Sequence, residues 1–169
     1  MLSEKNSMLN TTVNIRRAVK EDCGRLLELV QELAEYERAP NEVTVTLEHF
    51  QESGFGKSPV WWAFVAEVDG KIVGFALYYI RYSTWKGQRM YLEDILVTNE
   101  MRGKGIGKLL TQECIRKTKE KHLGQLIIHT TQYMRNAWEM YERMGFKRSE
   151  DLDFMQGALP VFGFRLLIE

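Results

Sequence analysis

Residues 97–108 combine a glycine-rich loop with basic side chains. Glycine stands at three alternate positions, Gly103, Gly105 and Gly107, and the cations are Arg102, Lys104 and Lys108. Glycine reaches backbone conformations with positive φ and lets the chain approach a ligand closely. If a helix begins here, its first N–H groups are unpaired and carry the positive end of the helix dipole, an arrangement that binds phosphate. The segment therefore predicts either a loop for a phosphate-bearing ligand or a glycine-rich turn with a basic edge.

Two common nucleotide-binding fingerprints do not fit this loop. The dinucleotide pattern Gly-x-Gly-x-x-Gly needs glycine at position 108, where the chain has Lys108. The Walker pattern needs glycine at position 102 and serine or threonine at position 109, where the chain has Arg102 and Leu109. The loop is therefore not predicted to hold a dinucleotide or a nucleoside triphosphate in either of these ways.

Two carboxylates, Glu93 and Asp94, interrupt an otherwise apolar predicted strand. The alternation predicts Glu93 on one face with Ile95 and Asp94 on the other face with Leu96. At most one of the two carboxylates therefore faces a given cleft unless the strand is bulged. Because a buried carboxylate without a partner is costly, the pair needs an explanation. We expect Glu93 to accept a proton, through water, and Asp94 to attract a cationic substrate. Alternatively, Glu93 faces solvent and Asp94 bonds to backbone.

Tyr141 is the third candidate for chemistry. It shares one face of a predicted helix with Ala137 and Met144. A phenol can donate one proton, so Tyr141 is a candidate general acid. The alternative is an aromatic residue that packs in the core, the usual fate of such a helical stripe.

Hydrophobic periodicity and turn residues predict the elements that must position these groups. Strands are predicted at Val13–Ala18, Val60–Val68, Lys71–Tyr82, Arg89–Val97, Gly124–Thr130, Phe146–Arg148 and Val161–Ile168. Helices are predicted at Asp22–Glu37, Thr46–Gly54, Ile106–Lys121 and Arg135–Met144. In the second of these we expect Leu47 and Phe50 to face inward. The order indicates an α/β fold with a mixed, mostly antiparallel sheet, in which the helix after the glycine loop makes a parallel crossover. We expect one domain at residues 13–169 after a flexible N-terminal tail at residues 1–12.

The composition of the chain argues against several classes of function. The chain has 169 residues, 23 Lys plus Arg and 23 Asp plus Glu, so its formal net charge is zero. This balance argues against binding to nucleic acid or to an anionic membrane surface. No apolar stretch is long enough to cross a bilayer, and residues 1–12 lack the apolar core of a signal peptide, so we expect a cytoplasmic protein. Two cysteines, Cys23 and Cys114, and three scattered histidines do not have the spacing of a metal site.

Several motifs in matching order carry a family resemblance. They are Glu32–Glu37, Gly54–Pro59, Ile72–Tyr79, Trp85–Gly87, Tyr91–Asp94, the Arg-Gly-x-Gly-Ile-Gly loop at 102–107 and the Tyr141 segment that ends at Phe146. Together they resemble the spermidine/spermine (diamine) acetyltransferase branch of the GNAT acyltransferase superfamily, over roughly Asn14 to Phe146. The resemblance implies the GNAT fold, acetyl-CoA as the cosubstrate and a homodimer.

The resemblance also implies roles for individual residues. Tyr141 corresponds to the general acid beside the thioester sulfur, and Glu93 to the proton acceptor. Cofactor contacts fall on the loop residues Arg102, Gly103, Lys104, Gly105, Ile106, Gly107 and Lys108 and on the backbone N–H groups of Ile95, Leu96 and Val97. Substrate contacts fall on Tyr36, Glu37, Trp85, Glu93 and Asp94.

The chain departs from the family pattern at three places. Met134 stands where a typical member has an asparagine, so Asn136 becomes the candidate for that CoA contact. Ser83 replaces an aspartate of the diamine branch, with Arg81 nearby, which weakens attraction for a multiply charged polyamine. Asp151–Gln156 has no counterpart to a tryptophan-containing segment of that branch, although Asp151 and Asp153 supply charge.

The predicted function is transfer of an acetyl group from acetyl-CoA to the primary amine of a small aliphatic molecule. Polyamines and lysine-like amino acids are both compatible with the sequence. The alternatives are a peptide or protein N-acetyltransferase and a non-catalytic acyl-CoA-binding regulator. The presence of both Glu93 and Tyr141 favours an enzyme.

Overall fold

A computed structural model of the chain describes residues 2–6 and 11–169. Strands in these ranges are β1 (Leu2–Asn6), β2 (Thr11–Arg17), β3 (Trp62–Val68), β4 (Lys71–Ser83), β5 (Gly87–Val97), β6 (Gln125–Thr130), β7 (Lys147–Arg148), β8 (Phe154–Gln156) and β9 (Leu159–Leu167). The α-helices are α1 (Cys23–Tyr36), α2 (Leu47–Phe55), α3 (Ile106–Glu120) and α4 (Arg135–Arg143).

The strands form one mixed sheet in the order β1-β2-β3-β4-β5-β6-β9-β7, and β8 pairs with β9. Every pairing is antiparallel except β5 with β6, which run parallel because α3 connects them. The predicted α/β fold with a mostly antiparallel sheet and one parallel crossover is therefore confirmed.

Local signals in the sequence account for several boundaries. The β3–β4 hairpin turns at Asp69 and Gly70, which both have positive φ (52° and 75°), the geometry that a tight two-residue turn needs. Thr46 caps α2, because its Oγ1 accepts a hydrogen bond from the His49 N–H at 3.1 Å. Gly145, with φ of 96°, follows the end of α4.

The sheet separates two apolar layers. On one face α3 and α4 pack against the sheet through buried residues such as Leu110, Cys114 and Tyr141. On the other face α1 and α2 pack through residues such as Leu26, Leu29 and Phe50. Both thiols lie in these layers, where burial raises the pKa of Cys23 to about 11 and raises that of Cys114 as well, so both are poor nucleophiles.

Three local features differ from the predictions. Leu2–Asn6 and the first residues of Thr11–Arg17 are paired strands, although residues 1–12 were expected to form a flexible tail; Met1 and residues 7–10 lie outside the described part. The short strand β8 was not predicted. Leu47 was expected to face inward but is 40% exposed, because it is the first residue of α2 and Phe50 supplies the buried contact. No helix in the described ranges is long and apolar enough to span a membrane.

Candidate active site

A β-bulge in β5 places the two adjacent carboxylates. Leu77 on β4 pairs with Asp94 and Tyr78 pairs with Leu92, so Glu93 is an extra residue without a partner on β4. The bulge reverses the alternation of the strand. Before it Leu92 belongs to the α3 side of the core, whereas after it Ile95 packs on that side. The predicted register, with Glu93 and Ile95 on one face, is therefore wrong, and Glu93 and Asp94 share a face instead.

Both carboxylates line a cavity of about 980 Å³ on the α1 side of the sheet, and Glu37 at the end of α1 lines it too. Glu93 is exposed and Asp94 is half-buried. Burial, together with the negative charges of Glu93 and Glu37, raises the pKa of Asp94 to about 7. Burial also raises the pKa of Glu37. The cavity therefore has an acidic wall with one carboxyl that titrates near neutral pH.

The parallel strands β5 and β6 separate beside these carboxylates. Their pairing covers only Met90–Leu92 of β5, against Leu126–Ile128 of β6. Beyond Leu92, β5 keeps β4 as a neighbour on one side, and its other edge opens toward the cavities. Backbone donors on this open edge are available to a ligand.

The direction of the backbone identifies which of these N–H groups face the opening. The Leu96 carbonyl points toward β4, 2.9 Å from where a Cβ on Gly74 would lie, and the Thr98 N–H donates to the Val73 carbonyl of β4 at 2.8 Å. Because residues two apart in a strand point the same way, the amides of Ile95 and Val97 face the opening. The Leu96 amide, predicted as a third ligand contact, faces β4 instead.

A second cavity, of about 630 Å³, follows the glycine loop. Its lining includes Arg102, Gly103, Gly105, Ile106, Gly107 and Lys108. Gly103 and Gly105 have φ of 74° and 85°, a region that L side chains rarely adopt, and α3 begins immediately after Gly105. The first amides of α3 therefore lie at this cavity, as the phosphate-binding prediction requires.

Arg102 fits an anionic ligand in the second cavity. Its Nε donates to the Val97 carbonyl at 2.8 Å, and its guanidinium lies over the Tyr36 ring at 4.0 Å. Its Nη2 is buried and has no hydrogen-bond partner among the residues that the structure describes. A buried unpaired donor is costly, and the oxygen of a phosphate would satisfy it. Lys104, also predicted to contact the ligand, is not among the residues that line this cavity.

Tyr141 lies where the two cavities meet. Four residues line both cavities: Ile95, Met134, Ala137 and Tyr141. Tyr141 is 1% exposed and packs against the rings of Phe146 and Phe164. Burial, followed by the nearby Cys114 and Glu37, raises the pKa of the phenol, so its hydroxyl keeps its proton at neutral pH.

The other predicted site residues are distributed between the two cavities. Asn136 and Met134 line the second cavity, and Glu37 lines the first. Tyr36, predicted to contact substrate, lines the second cavity, because its ring covers Arg102.

Trp85, also predicted to contact substrate, lines neither cavity and is 91% exposed. It sits in the β4–β5 turn, where the Ser83 Oγ accepts hydrogen bonds from the N–H groups of Trp85 and Lys86 at 3.1 and 3.2 Å. Ser83 therefore shapes the turn and does not line the first cavity.

Charged residues of the C-terminal segment line the first cavity but are already paired. Asp151 forms an ion pair with Arg165 at 2.9 Å, and Asp153 forms one with Arg148. They add less to the charge of the cavity than the unpaired Glu37, Glu93 and Asp94 do.

The sequence reasoning missed several residues of the first cavity. Three aromatic rings on neighbouring strands line this cavity. The ring centroid of Tyr79 lies 5.5 Å from that of Tyr91, which lies 6.3 Å from that of His129. Thr130 and Thr131 line it with buried hydroxyls that have no partner. One signal could have found them: they end the strand that was predicted to run parallel to the strand of Glu93, and ligands bind at such ends.

Comparisons with known proteins agree with this geometry. Residues 23–146 match the Acetyltransferase (GNAT) family. The acetyltransferase of GNAT family from Streptococcus pneumoniae has a similar structure, with a TM-score of 0.73 and 20% identity, over 92% of this chain and 99% of that one. The chain belongs to the GNAT acetyltransferase family, and it is an N-acetyltransferase that uses an acyl-CoA donor.

Curated relatives belong to the branch predicted from the motifs. The thialysine N-epsilon-acetyltransferase of Bos taurus is 37% identical over 153 residues, which are 86% of this chain and 88% of that protein. The protein of the same name from Mus musculus is 32% identical over 156 residues, 88% of this chain and 90% of that one. The spermidine/spermine N(1)-acetyltransferase-like protein 1 of Homo sapiens is 40% identical over 100 residues, 55% of this chain and 14% of that protein.

Proposed function

We propose that this enzyme transfers an acetyl group from acetyl-CoA to the primary amine of a small lysine-like or polyamine substrate. The observation that carries the proposal is the meeting of two unlike cavities at Tyr141. One is lined by the glycine loop and Arg102, which suits the phosphates of the donor. The other has an acidic wall, which suits a cationic amine.

The substrate amine must lose a proton before it can react. A free alkylamine has a pKa of about 10.4 and is charged at neutral pH. When bound, the donor supplies a thioester carbon that an uncharged amine attacks. Both carboxylates attract the ammonium form. We assign the proton acceptor to Asp94, whose pKa of about 7 suits this step near neutral pH, in place of Glu93, which the sequence had predicted for that role. Glu93, which is more exposed, connects this pair to solvent and carries the proton away through water.

Negative charge also develops on the carbonyl oxygen and on the departing sulfur, and the chain has a donor for each. The N–H of Ile95 lies on the open edge of β5, at the junction of the cavities, and can donate to the carbonyl oxygen. Tyr141 holds a proton at its hydroxyl at the same junction and can donate it to the departing sulfur. Neither role requires a metal ion.

Release of free thiol from acetyl-CoA in the presence of an amine panel tests this proposal. The panel contains L-lysine, thialysine, spermidine and a lysine-containing peptide. Turnover with the small amines supports the proposal, whereas turnover with the peptide alone would make the enzyme a peptide N-acetyltransferase. Binding of acetyl-CoA without turnover of any amine would indicate a non-catalytic regulator and would contradict the proposal.

The predicted homodimer, single domain and cytoplasmic location are part of the same proposal. Sedimentation equilibrium of the purified protein checks the first of these, with a mass of twice 19.8 kDa expected. Cooperative unfolding in a single transition checks the second, and fractionation of cells checks the third.

A further inference from the structure

Two arginines face each other in the first cavity and, unlike Tyr141, do not line the second cavity. Arg81 on β4 and Arg89 on β5 are direct partners in the strand register, and both line the cavity. Both guanidiniums lie over the ring of Tyr91, at 5.2 and 5.6 Å from its centroid, and Arg81 Nη1 donates to the Tyr91 hydroxyl at 3.3 Å. The two side chains are thus held on one aromatic ring.

Within the described residues, this pair has no anionic partner. Neither arginine forms an ion pair with a carboxylate in residues 11–169, and the buried Nε of Arg89 has no hydrogen-bond partner. Like charges directly opposite each other on neighbouring strands are unfavourable, and a buried donor without an acceptor adds to that cost. An anion bound between the two guanidiniums would offset both costs.

We propose that Arg81 and Arg89 form a carboxylate subsite, so that the preferred substrate is an amino acid with a side-chain amine and not a polyamine. This inference rests on the proposed function, since it assumes that the amine lies at Glu93 and Asp94. A planar guanidinium binds a carboxylate through two parallel hydrogen bonds, which suits the forked geometry of arginine.

The spacing along β5 fits a lysine-like molecule. Arg89 and Glu93 are four residues apart on the same face of the strand, about 13 Å at the usual rise per residue. In an extended lysine six bonds separate the side-chain nitrogen from the carboxylate carbon, a distance of roughly 7 Å. The side chains of Arg89 and Glu93 cover the difference between these two distances. One ligand can therefore contact the arginine pair and the acidic wall together.

The same geometry disfavours polyamines. A second or third ammonium group of an extended polyamine would reach toward the two guanidiniums, where like charges repel. The cavity thus has an acidic end and a basic end, and a ligand with a side-chain ammonium group at one end and a carboxylate at the other matches it in one orientation only.

Steady-state kinetics with three matched amines tests the subsite. L-Lysine carries the carboxylate, L-lysinamide replaces it by a neutral amide, and 1,5-diaminopentane lacks it. We expect kcat/KM to be highest for L-lysine. In Arg89→Gln it should fall about 10- to 100-fold for L-lysine, through KM and not kcat, and stay unchanged or rise for the other two amines. Arg89→Lys should recover part of the lost kcat/KM for L-lysine, because it keeps the positive charge but lacks the two parallel donors of the guanidinium.

Controls and a binding readout make each outcome decisive. Arg25→Gln removes the same charge from α1, outside both cavities, and should leave all three amines unaffected. Equal use of the three amines by the wild type, or an equal loss for all three in Arg89→Gln, would overturn the subsite while leaving the proposed function intact.

If no amine is turned over, the proposed function fails, and calorimetric titration of L-lysine still decides the subsite. Binding that is lost in Arg89→Gln or Arg81→Gln supports it, and absence of binding to the wild type overturns it. Arg81→Gln serves the same purpose if Arg89→Gln does not fold.

Discussion

Glu93 and Asp94 are adjacent in β5, yet both side chains line the same cavity, because Glu93 is the extra residue of a β-bulge. In a regular strand one of them would face the opposite layer. The bulge also lies where β5 and β6 separate, so the carboxylate pair and the open backbone edge of Ile95 occur together. One irregularity thus sets both the charge of the cavity and the access to backbone donors.

Asp94→Asn should change how stability depends on pH. The pKa of this carboxyl is about 7 in the folded state and near 4 in an unfolded chain, so the folded state binds an additional proton between these values. Stability associated with Asp94 is therefore fully present below about pH 4 and is lost as the pH rises through about 7. The loss is at most about 4 kcal/mol.

Thermal unfolding measured across this pH range checks the effect. Asp94→Asn should melt several degrees higher than the wild type at about pH 8 and at nearly the same temperature at about pH 4. Asp69→Asn, in the exposed β3–β4 turn, serves as a control that removes the same charge. A difference that does not vary with pH would contradict the assignment of a raised pKa to Asp94.

Tyr141→Phe should lower kcat with little change in the affinity for acetyl-CoA. The substitution removes the only proton that the side chain can donate and keeps the ring that packs against Phe146 and Phe164. General acid catalysis contributes about 10²- to 10⁴-fold, so we expect a loss in that range. Tyr82→Phe, which is 69% exposed, is the matched control. Full activity of Tyr141→Phe near neutral pH would remove Tyr141 from the mechanism.

Gly105→Ala should weaken both the fold and CoA binding. With φ of 85° at this residue, alanine costs roughly 1–2 kcal/mol of backbone strain. Relief of the strain would turn the first amides of α3 away from the second cavity. Chemical denaturation and calorimetric titration with CoA measure the two effects. Gly124→Ala is the control, because φ is not positive there and an added Cβ meets nothing within 4 Å. Equal behaviour of the two variants would contradict the account of the loop.

Arg102→Gln should reduce the affinity for CoA and its dependence on salt. The guanidinium is oriented by the Val97 carbonyl and the Tyr36 ring and has one buried donor without a partner. We expect Kd to rise about 10- to 100-fold, because a charged hydrogen bond contributes about 1.5–3 kcal/mol. Titrations at increasing salt concentration should then show a shallower slope than in the wild type. An unchanged Kd would place the phosphates elsewhere.

Local sequence signals predicted most helices and strands within a few residues, because turns, caps and periodicity act over short distances. Thr46 and the Asp69–Gly70 turn are examples. Features that depend on a partner strand were harder to predict. The bulge at Glu93 is defined by its pairing with β4, and β8 exists only through its pairing with β9.

The candidate site also combines local features, which the sequence predicts, with features that depend on tertiary packing. The glycine loop is local, and its prediction agrees with the positive φ angles at Gly103 and Gly105. Tyr36 and Trp85 were assigned by analogy, and tertiary packing places the first on Arg102 and the second in solvent. Arg89 and Arg81 are eight residues apart in sequence, and only the β4–β5 register brings them together.

The pH dependence of kcat/KM for an amine substrate, in the wild type and in Asp94→Asn, tests the central claim most directly. In the wild type, activity should rise with pH through an apparent pKa of about 7, as Asp94 becomes able to accept the proton. Glu93→Gln should move this rise to lower pH, because the charge of Glu93 raises the pKa of Asp94. Asp94→Asn should abolish it and leave a lower rate that increases only as the amine itself loses its proton. A wild-type profile retained in Asp94→Asn would contradict the claim that the bulged carboxylate pair removes the proton of the amine.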